Sequence, residues 1–292
     1  MPRFECAICH QAVSYAETDR PYFDDHGWEC NICYSVIAKR RYKRNIPGGV
    51  TLFSPMSSAL GDIVVAQPVF KEYLKDNPDE EVVFLNMCDP EQEMARYNPV
   101  KFWWSNVTNF IPPPDHGIQR YYLENEASEY ARAGIYPALW FEPQPVLGLP
   151  ERFMVFHIRN VRKAPFKNAE PMIVFKLTML LERWILAGKF DAVVLVGNDQ
   201  PTELEDLPPG FIDLRNKLKV EEIAWICQHS RGFIGKDSGV AHLAAAAGAK
   251  VAAWGYRDIR WTPKAPPWNI RYLMAGESNQ QSVSIMVQEA FA

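Results

Sequence analysis

No apolar run in this sequence is long enough to cross a bilayer, which takes about 20 residues, and the opening MPRFECAICH contains no signal core. The two absences together lead to the expectation of an intracellular, cytoplasmic protein without a transmembrane segment. An excess of positive charge is missing too. Lys and Arg number 31 against 35 Asp and Glu, a net charge of −4, which argues against a generic nucleic-acid binder while leaving room for a local basic patch. No solenoid-period repeat and no low-complexity stretch stands out. Asn106 opens an N-V-T triplet, but without a secretion signal the match to a glycosylation acceptor is read as chance. What is present is apolar material: 48% of 292 residues are hydrophobic, enough for a sizeable core in one or two domains.

Six cysteines fall into two groups. Cys6, Cys9, Cys30 and Cys33 form C-x2-C-x20-C-x2-C, while Cys88 and Cys227 stand alone. Two such knuckles can surround one Zn²⁺ with four thiolates, the tetrahedral sulfur set that a structural zinc site uses. A segment as short as 1–46 cannot bury enough apolar surface to fold unaided, so the metal would supply the missing stability. Four thiolates leave no open position for a substrate, so the zinc is expected to be structural. A redox CxxC is the competing reading. His10 and His26 are nearby spare ligands or solvated side chains. The basic run AKRRYKR at 38–44 follows, either a phosphate-contacting patch or a solvated linker.

After IPGG at 46–49, strand and helix patterns alternate. VTLFS (50–54) and EVVFLNM (81–87) read as strands, and KFWWSNVTNF (101–110) as a third or as an aromatic cleft wall. A helix is expected from about 62 to 74, with Pro68 inside it as a late start or a kink; another is expected over 121–134. Proline-rich 136–151 reads as a linker. A second series follows it: strand 152–158, helix 171–188 with Pro at its start and Gly at its end, strand 191–197, helix 220–228, strand 232–235, an alanine-rich helix, strand 250–255 and a terminal helix over 278–292. The pattern predicts an α/β fold, two Rossmann-like domains facing a cleft plus a small N-terminal zinc-ribbon-like unit, with boundaries at 1–46, 47–148 and 149–292. Ligands of such sheets bind beyond the carboxyl ends of the strands.

The stretch FIGKDSGVAHLAAAAGAK, residues 233–250, places Lys236, Asp237, Ser238 and Gly239 at the mouth of the alanine helix. Backbone N–H groups are unpaired there and the macrodipole is positive, which suits a phosphate. Gly239 lets an anion approach the backbone. Ser238 can cap the helix or donate to phosphate. Asp237 repels phosphate and is better suited to capping or to binding a hydroxyl. His242, one turn in, can point back toward the anion. By itself the pattern is equally that of an ordinary Asp/Ser cap on a well-packed helix.

The longer stretch VEEIAWICQHSRGFIGKDSGVAHLAAAAGAKVAAWGYRD resembles the donor-binding region of heptosyltransferase-like glycosyltransferases (glycosyltransferase family 9, GT-B fold), with its D-S-G-x-x-H-x-A segment. SSALGDIVVAQPVF resembles the same family's N-terminal G-D-x5-P segment. The resemblance covers roughly residues 48–275; the N-terminal knuckle departs from the pattern. It implies transfer of a sugar from a nucleotide-diphosphate sugar to an acceptor hydroxyl, with Asp237, Ser238, Gly239 and His242 at the donor diphosphate and Lys236 beside them. A helix N-terminus can stabilise that leaving group without a metal, in keeping with the lack of a convincing Asp-x-Asp site. Asp62, in the G-D segment, is the candidate general base, or else only a helix cap. The family's lysine after the first C-terminal strand has no clear counterpart in FHIRNVRKAPF; Arg159, Arg162 and Lys163 are its candidates. HIRN is also similar to the H-x-R segment of GDP-fucose-dependent transferases, in which Arg grips diphosphate. Asp199 and Glu203 could accept bonds from ribose or be solvated loop acids.

The leading expectation is therefore an inverting, metal-independent glycosyltransferase with a structural Zn²⁺. A nucleotide-sugar epimerase-like enzyme and a non-catalytic nucleotide or polyanion-binding protein are the alternatives. The acceptor is open: a saccharide, a protein or a nucleic acid. Phe102, Trp103, Trp104, Tyr121 and Tyr122 could stack on sugar rings or bases, although buried strand and helix faces account for most of them equally well.

Overall fold

The computed structural model describes seven short strands before residue 111, residues 60–61, 64–65 and 67–68, and residues 130–160, 168–197, 207–255 and 262–291. The chain divides into two compact units, Met1–Ser58 with Val69–Glu126, and Ala59–Pro68 with Ala127–Ala292.

In the first unit, strand β1 (Arg3–Glu5) pairs antiparallel with β2 (Ala12–Ser14), and β3 (Tyr22–Asp24) with β4 (Gly27–Glu29). β1 lies against β4. Cys6, Cys9, Cys30 and Cys33 lie outside the described residues. Strands β5 (Thr51–Phe53), β6 (Val82–Leu85) and β7 (Val107–Phe110) form a parallel sheet in that order. The first two fall where the apolar runs place them; the third occupies only the end of 101–110.

In the second unit a six-stranded sheet is built from β8 (Phe153–His157), β9 (Ala192–Leu195), β10 (Phe211–Asp213), β11 (Phe233–Lys236), β12 (Val251–Trp254) and β13 (Ile270–Leu273). All pairs are parallel and the order is β10-β9-β8-β11-β12-β13. The chain starts in the middle, winds outward to β10, then crosses back and winds the other way. That is the doubly wound order, with its switch point between β8 and β11.

Helices α1 (Pro171–Leu186), α2 (Val220–His229), α3 (Gly239–Ala246) and α4 (Gln280–Phe291) cover the sheet. Pro171 occupies the first turn of α1, where its missing N–H is no loss. At the start of α2 the Glu222 carboxylate accepts from the Lys219 backbone N–H at 2.7 Å. Two cores result, one on each face. Val155, Val194 and Phe233 pack with α2 and α3, whereas Met154, Phe156, Ile234 and Trp254 pack with α1 and α4. Strand alternation sorts these residues, successive side chains pointing to opposite faces. Residues 60–61, 64–65 and 67–68 are helical and belong to this unit; Val64, Val65 and Gln67 are buried, and the Gln67 side chain accepts from the Ala138 N–H at 3.2 Å.

Ala241, Ala244 and Ala245 let α3 lie close on the sheet. Ala244 is fully buried, so Ala244→Leu should overpack this layer and cost about 1–3 kcal/mol. The expected readout is a lower urea midpoint at unchanged slope; an unshifted midpoint would mean that the layer is loosely packed.

Candidate functional site at the switch point

β8 and β11 end side by side at the switch point, and alternation divides their last residues between the two faces. His157 follows Val155 onto the α2/α3 face; Lys236 follows Ile234 onto the α1/α4 face. Two polar groupings form, one on each face.

On the α3 face, Ser238 is the helix N-cap, with extended backbone and its Oγ accepting from the Ala241 N–H at 3.4 Å. The same Oγ lies 3.0 Å from His157 Nδ1. Both residues are buried. His242 is buried one turn into α3. Its Nε2 stands 3.5 Å from Asp237 Oδ1, too long for a strong hydrogen bond. Asp237 Oδ1 and His242 Nδ1 are buried polar atoms that no hydrogen-bond partner satisfies among the described residues. Such atoms are costly and call for a missing partner. The segment at 60–61 closes in from the side: a Cβ on Gly239 would lie 2.9 Å from Leu60 Cβ, and one on Gly61 would lie 3.0 Å from His242 Cδ2. Glycine at both positions is what allows this approach. The Asp237 N–H is bound by the Trp254 carbonyl at 2.9 Å, which aims the start of α3.

On the other face, the buried Lys236 ammonium donates to Glu170 Oε1 at 2.5 Å, and Trp254 Nε1–H donates to Glu170 Oε2 at 3.2 Å. Gly255 has φ +105°, and a Cβ there would collide with the Lys236 side chain. Burial pushes the Glu170 carboxyl upward, but the Lys236 ammonium, the Glu170 backbone N–H and the Trp254 indole outweigh it and hold the group below its ordinary range. Glu170 is the residue that sequence reasoning missed. Its one local signal is an acid directly before the proline that opens a helix.

Arg159 is half-buried just past β8. The ends of the segment that follows are tied together, Ala169 N–H to the Arg159 carbonyl at 2.9 Å and Asn168 Nδ2 to Asn160 Oδ1 at 3.2 Å. The structure thus brings Asp237, Ser238, Gly239 and His242 together with His157, and sends Lys236 to the opposite face. Asp62, Arg162, Lys163, Asp199 and Glu203 lie outside the described residues. Cys227 is fully buried in α2, and burial pushes its thiol up to about 12, so it serves as core. Among the described residues no cluster of His, Cys, Asp and Glu could hold a metal ion, and no helix is long and apolar enough to cross a membrane.

The lowered Glu170 group has a pH signature. A carboxyl depressed in the folded state contributes stability above its unfolded value, and that contribution is lost as the pH falls through the folded one. Glu170 is about half exposed, so screening holds the contribution to about 1 kcal/mol at most. Glu170→Gln should therefore be less stable at pH 7, and its deficit should shrink between about pH 5 and pH 3. Urea unfolding across that range checks this; a constant deficit would show that the ion pair carries no linkage.

The model of glycosyltransferase family 9 (heptosyltransferase) matches residues 180–290, a span that includes α2, β11, α3 and β12. No curated protein matches the chain. Among solved structures, a family 9 glycosyl transferase from Veillonella parvula is 13% identical, with 82% of this chain and 96% of that chain covered, at a TM-score of 0.53. The ADP-heptose lipopolysaccharide heptosyltransferase II of Escherichia coli is likewise 13% identical, with 83% and 98% covered and a TM-score of 0.53. At such identity the likeness is one of fold, and that fold is the one of GT-B glycosyltransferases. Residues 180–290, with the Ser238–His242 helix at their centre, are a glycosyltransferase family 9 domain, and the protein that carries them is a glycosyltransferase.

Proposed function

We propose that the protein transfers a sugar from a nucleoside-diphosphate sugar to an acceptor hydroxyl, with inversion at the anomeric carbon and with the donor diphosphate at the mouth of α3. The observation that carries this reading is the pair of unsatisfied buried atoms there, His242 Nδ1 and Asp237 Oδ1, beside the open N–H groups of a capped helix at the sheet's switch point. A diphosphate supplies acceptors for the imidazole and the helix N–H groups. A hydroxyl of donor or acceptor suits Asp237. As the glycosidic bond breaks, charge gathers on the leaving diphosphate, and fixed donors stabilise it without reorganising. Lys236, its ammonium paired with Glu170 on the opposite face, holds the strand ends in place rather than facing the diphosphate. Arg159 and Lys163 are the cationic donor ligands, and Asp199 is the ribose ligand. Residues 149–292 form the donor domain in this reading and 47–148 the acceptor domain.

Asp62 is the general base that takes the acceptor proton as the hydroxyl attacks. In support, its neighbour in sequence, Gly61, lies against His242. The Escherichia coli protein of like fold is an ADP-heptose heptosyltransferase, so ADP-heptose is the first donor to test. The acceptor class, whether saccharide, protein or nucleic acid, is assigned by the transfer assay.

Purified protein should melt higher with one nucleoside diphosphate of a panel of ADP, UDP, GDP, CDP and dTDP, since a ligand of the folded state stabilises it by mass action. Ser238→Trp should abolish the shift. Asp62→Ala should keep the shift and lower transfer by at least about a hundredfold. A panel without any shift would overturn the donor site; full transfer by Asp62→Ala would overturn the base.

The N-terminal cysteines are proposed to hold a structural Zn²⁺. In support, two hairpins stand together with β1 against β4, and Cys6 and Cys30 directly follow those two strands in sequence. The thiolates this needs persist in a reducing compartment, the cytoplasm in this reading. Elemental analysis should find one zinc per chain, and none after Cys6→Ser with Cys30→Ser. Equal zinc in both proteins would refute the assignment.

A further inference from the structure

We propose that His157 is a positioning residue for the donor: by presenting an Nδ1–H to Ser238 Oγ, it turns the Ser238 hydroxyl proton outward to a phosphate oxygen. The inference rests on the reading of Ser238 as a diphosphate ligand and adds a residue that the family's D-S-G segment does not contain. A serine hydroxyl has one proton and two lone pairs. One lone pair accepts from the Ala241 N–H. The contact of 3.0 Å to His157 Nδ1 then has two possible senses. If Nδ1 is bare, it takes the hydroxyl proton, and Oγ shows the helix mouth only a lone pair. Phosphate oxygens are themselves acceptors, so that arrangement repels the ligand. If Nδ1 carries the proton, both Oγ lone pairs are filled from within the protein, and the hydroxyl proton is left to donate outward. Phosphate binding and the Nδ1–H form of His157 therefore require each other.

The geometry holds the ring to this task. His157 is 3% exposed and lies on β8, while Ser238 follows β11 on the neighbouring strand, 81 residues away. The ring stacks on Phe233 at 6.4 Å and 30°. Gly235 lets the strands come together beside it, since a Cβ there would stand 2.9 Å from the His157 carbonyl oxygen and 3.1 Å from its Cβ. The imidazole thus has little freedom to turn away from Oγ.

The test is calorimetric titration of the full chain with ADP, UDP, GDP, CDP and dTDP, followed by the variants His157→Leu, His157→Asn, Ser238→Ala and His157→Leu with Ser238→Ala. His157→Leu should weaken the nucleotide that binds by about tenfold. His157→Asn, whose amide can donate to Oγ, should bind within about threefold of the unsubstituted protein. The double variant should bind no more weakly than Ser238→Ala, because the two residues act through one hydroxyl. In ¹⁵N-histidine spectra, Nδ1 of His157 should carry a proton in the nucleotide-saturated protein. A bare Nδ1 in that state, or losses that multiply in the double variant, overturns the proposal. Weakening by Ser238→Ala without weakening by His157→Leu overturns the role of His157 alone. Unchanged binding by Ser238→Ala, or no binding of any nucleotide, overturns the donor site and His157 with it. If His157→Leu fails to fold, the spectra of the unsubstituted protein and the affinity of His157→Asn decide.

Discussion

At Gly235 the backbone of β11 runs so close to β8 that any side chain would meet the His157 carbonyl oxygen. The rest of the site depends on this approach. Parallel pairing sets Phe233 against Val155 and Gly235 against His157. That register ends both strands at the same height. It puts the first residues of α3 next to the end of a strand from a distant part of the chain, with the sheet's direction of winding reversing between them. A crevice at such a reversal is where doubly wound sheets take ligands. Here it is floored by the one close pairing that a larger residue at 235 would spread apart.

From that register, alternation does the sorting. Two residues apart, Lys236 and Ser238 serve different layers because the strand ends at Lys236 and the chain turns into the cap of α3 at Ser238. Under the sheet, Lys236, Glu170 and Trp254 tie the strand ends to the first turn of α1. With Glu170 half exposed, the ion pair is a weak source of stability, so its main consequence is geometric: it fixes where α1 begins. Above the sheet, His157 and Ser238 fix the start of α3 in the same way, through the 3.0 Å contact of Nδ1 and Oγ. The two helix N-termini at the switch point are each held by a side chain from another strand or its neighbour.

The sequence made legible what is local. The span of α1 could be read from its proline and its apolar face, α3 from its alanines and its Asp-Ser-Gly opening, and β8, β9, β11 and β12 from continuous apolar runs, as expected of strands buried on both faces. The edge strands β10 and β13 leave no such mark in the sequence. Phe211–Asp213 and Ile270–Leu273 are short and only half-buried, so neither carries a run or a clean alternation. Glu170 was equally hidden, because its meaning lies in Lys236, 66 residues on. Lys236 itself shows the limit of adjacency: next to Asp237 in sequence, it turns away from the helix that Asp237 opens. The terminal helix was legible in outline, expected over 278–292 and found over Gln280–Phe291.

Why the alanines and glycines of this helix matter follows from electrostatics rather than from helix propensity. Small side chains at 241, 244 and 245 sink α3 onto the sheet, and Gly239 with Gly61 lets a second segment close over its first turn. The N–H groups and the Ser238 hydroxyl are thereby set at a depth where few waters compete, and a charge facing them is less screened than at an exposed helix end. Depth has a cost, since it leaves Asp237 Oδ1 and His242 Nδ1 without partners among the described residues. Larger residues could have filled the space and relieved that cost. A chain that keeps the small ones leaves its helix mouth unsatisfied among the described residues, and in the proposed function a ligand with acceptors for the imidazole and a hydroxyl for the carboxylate completes it.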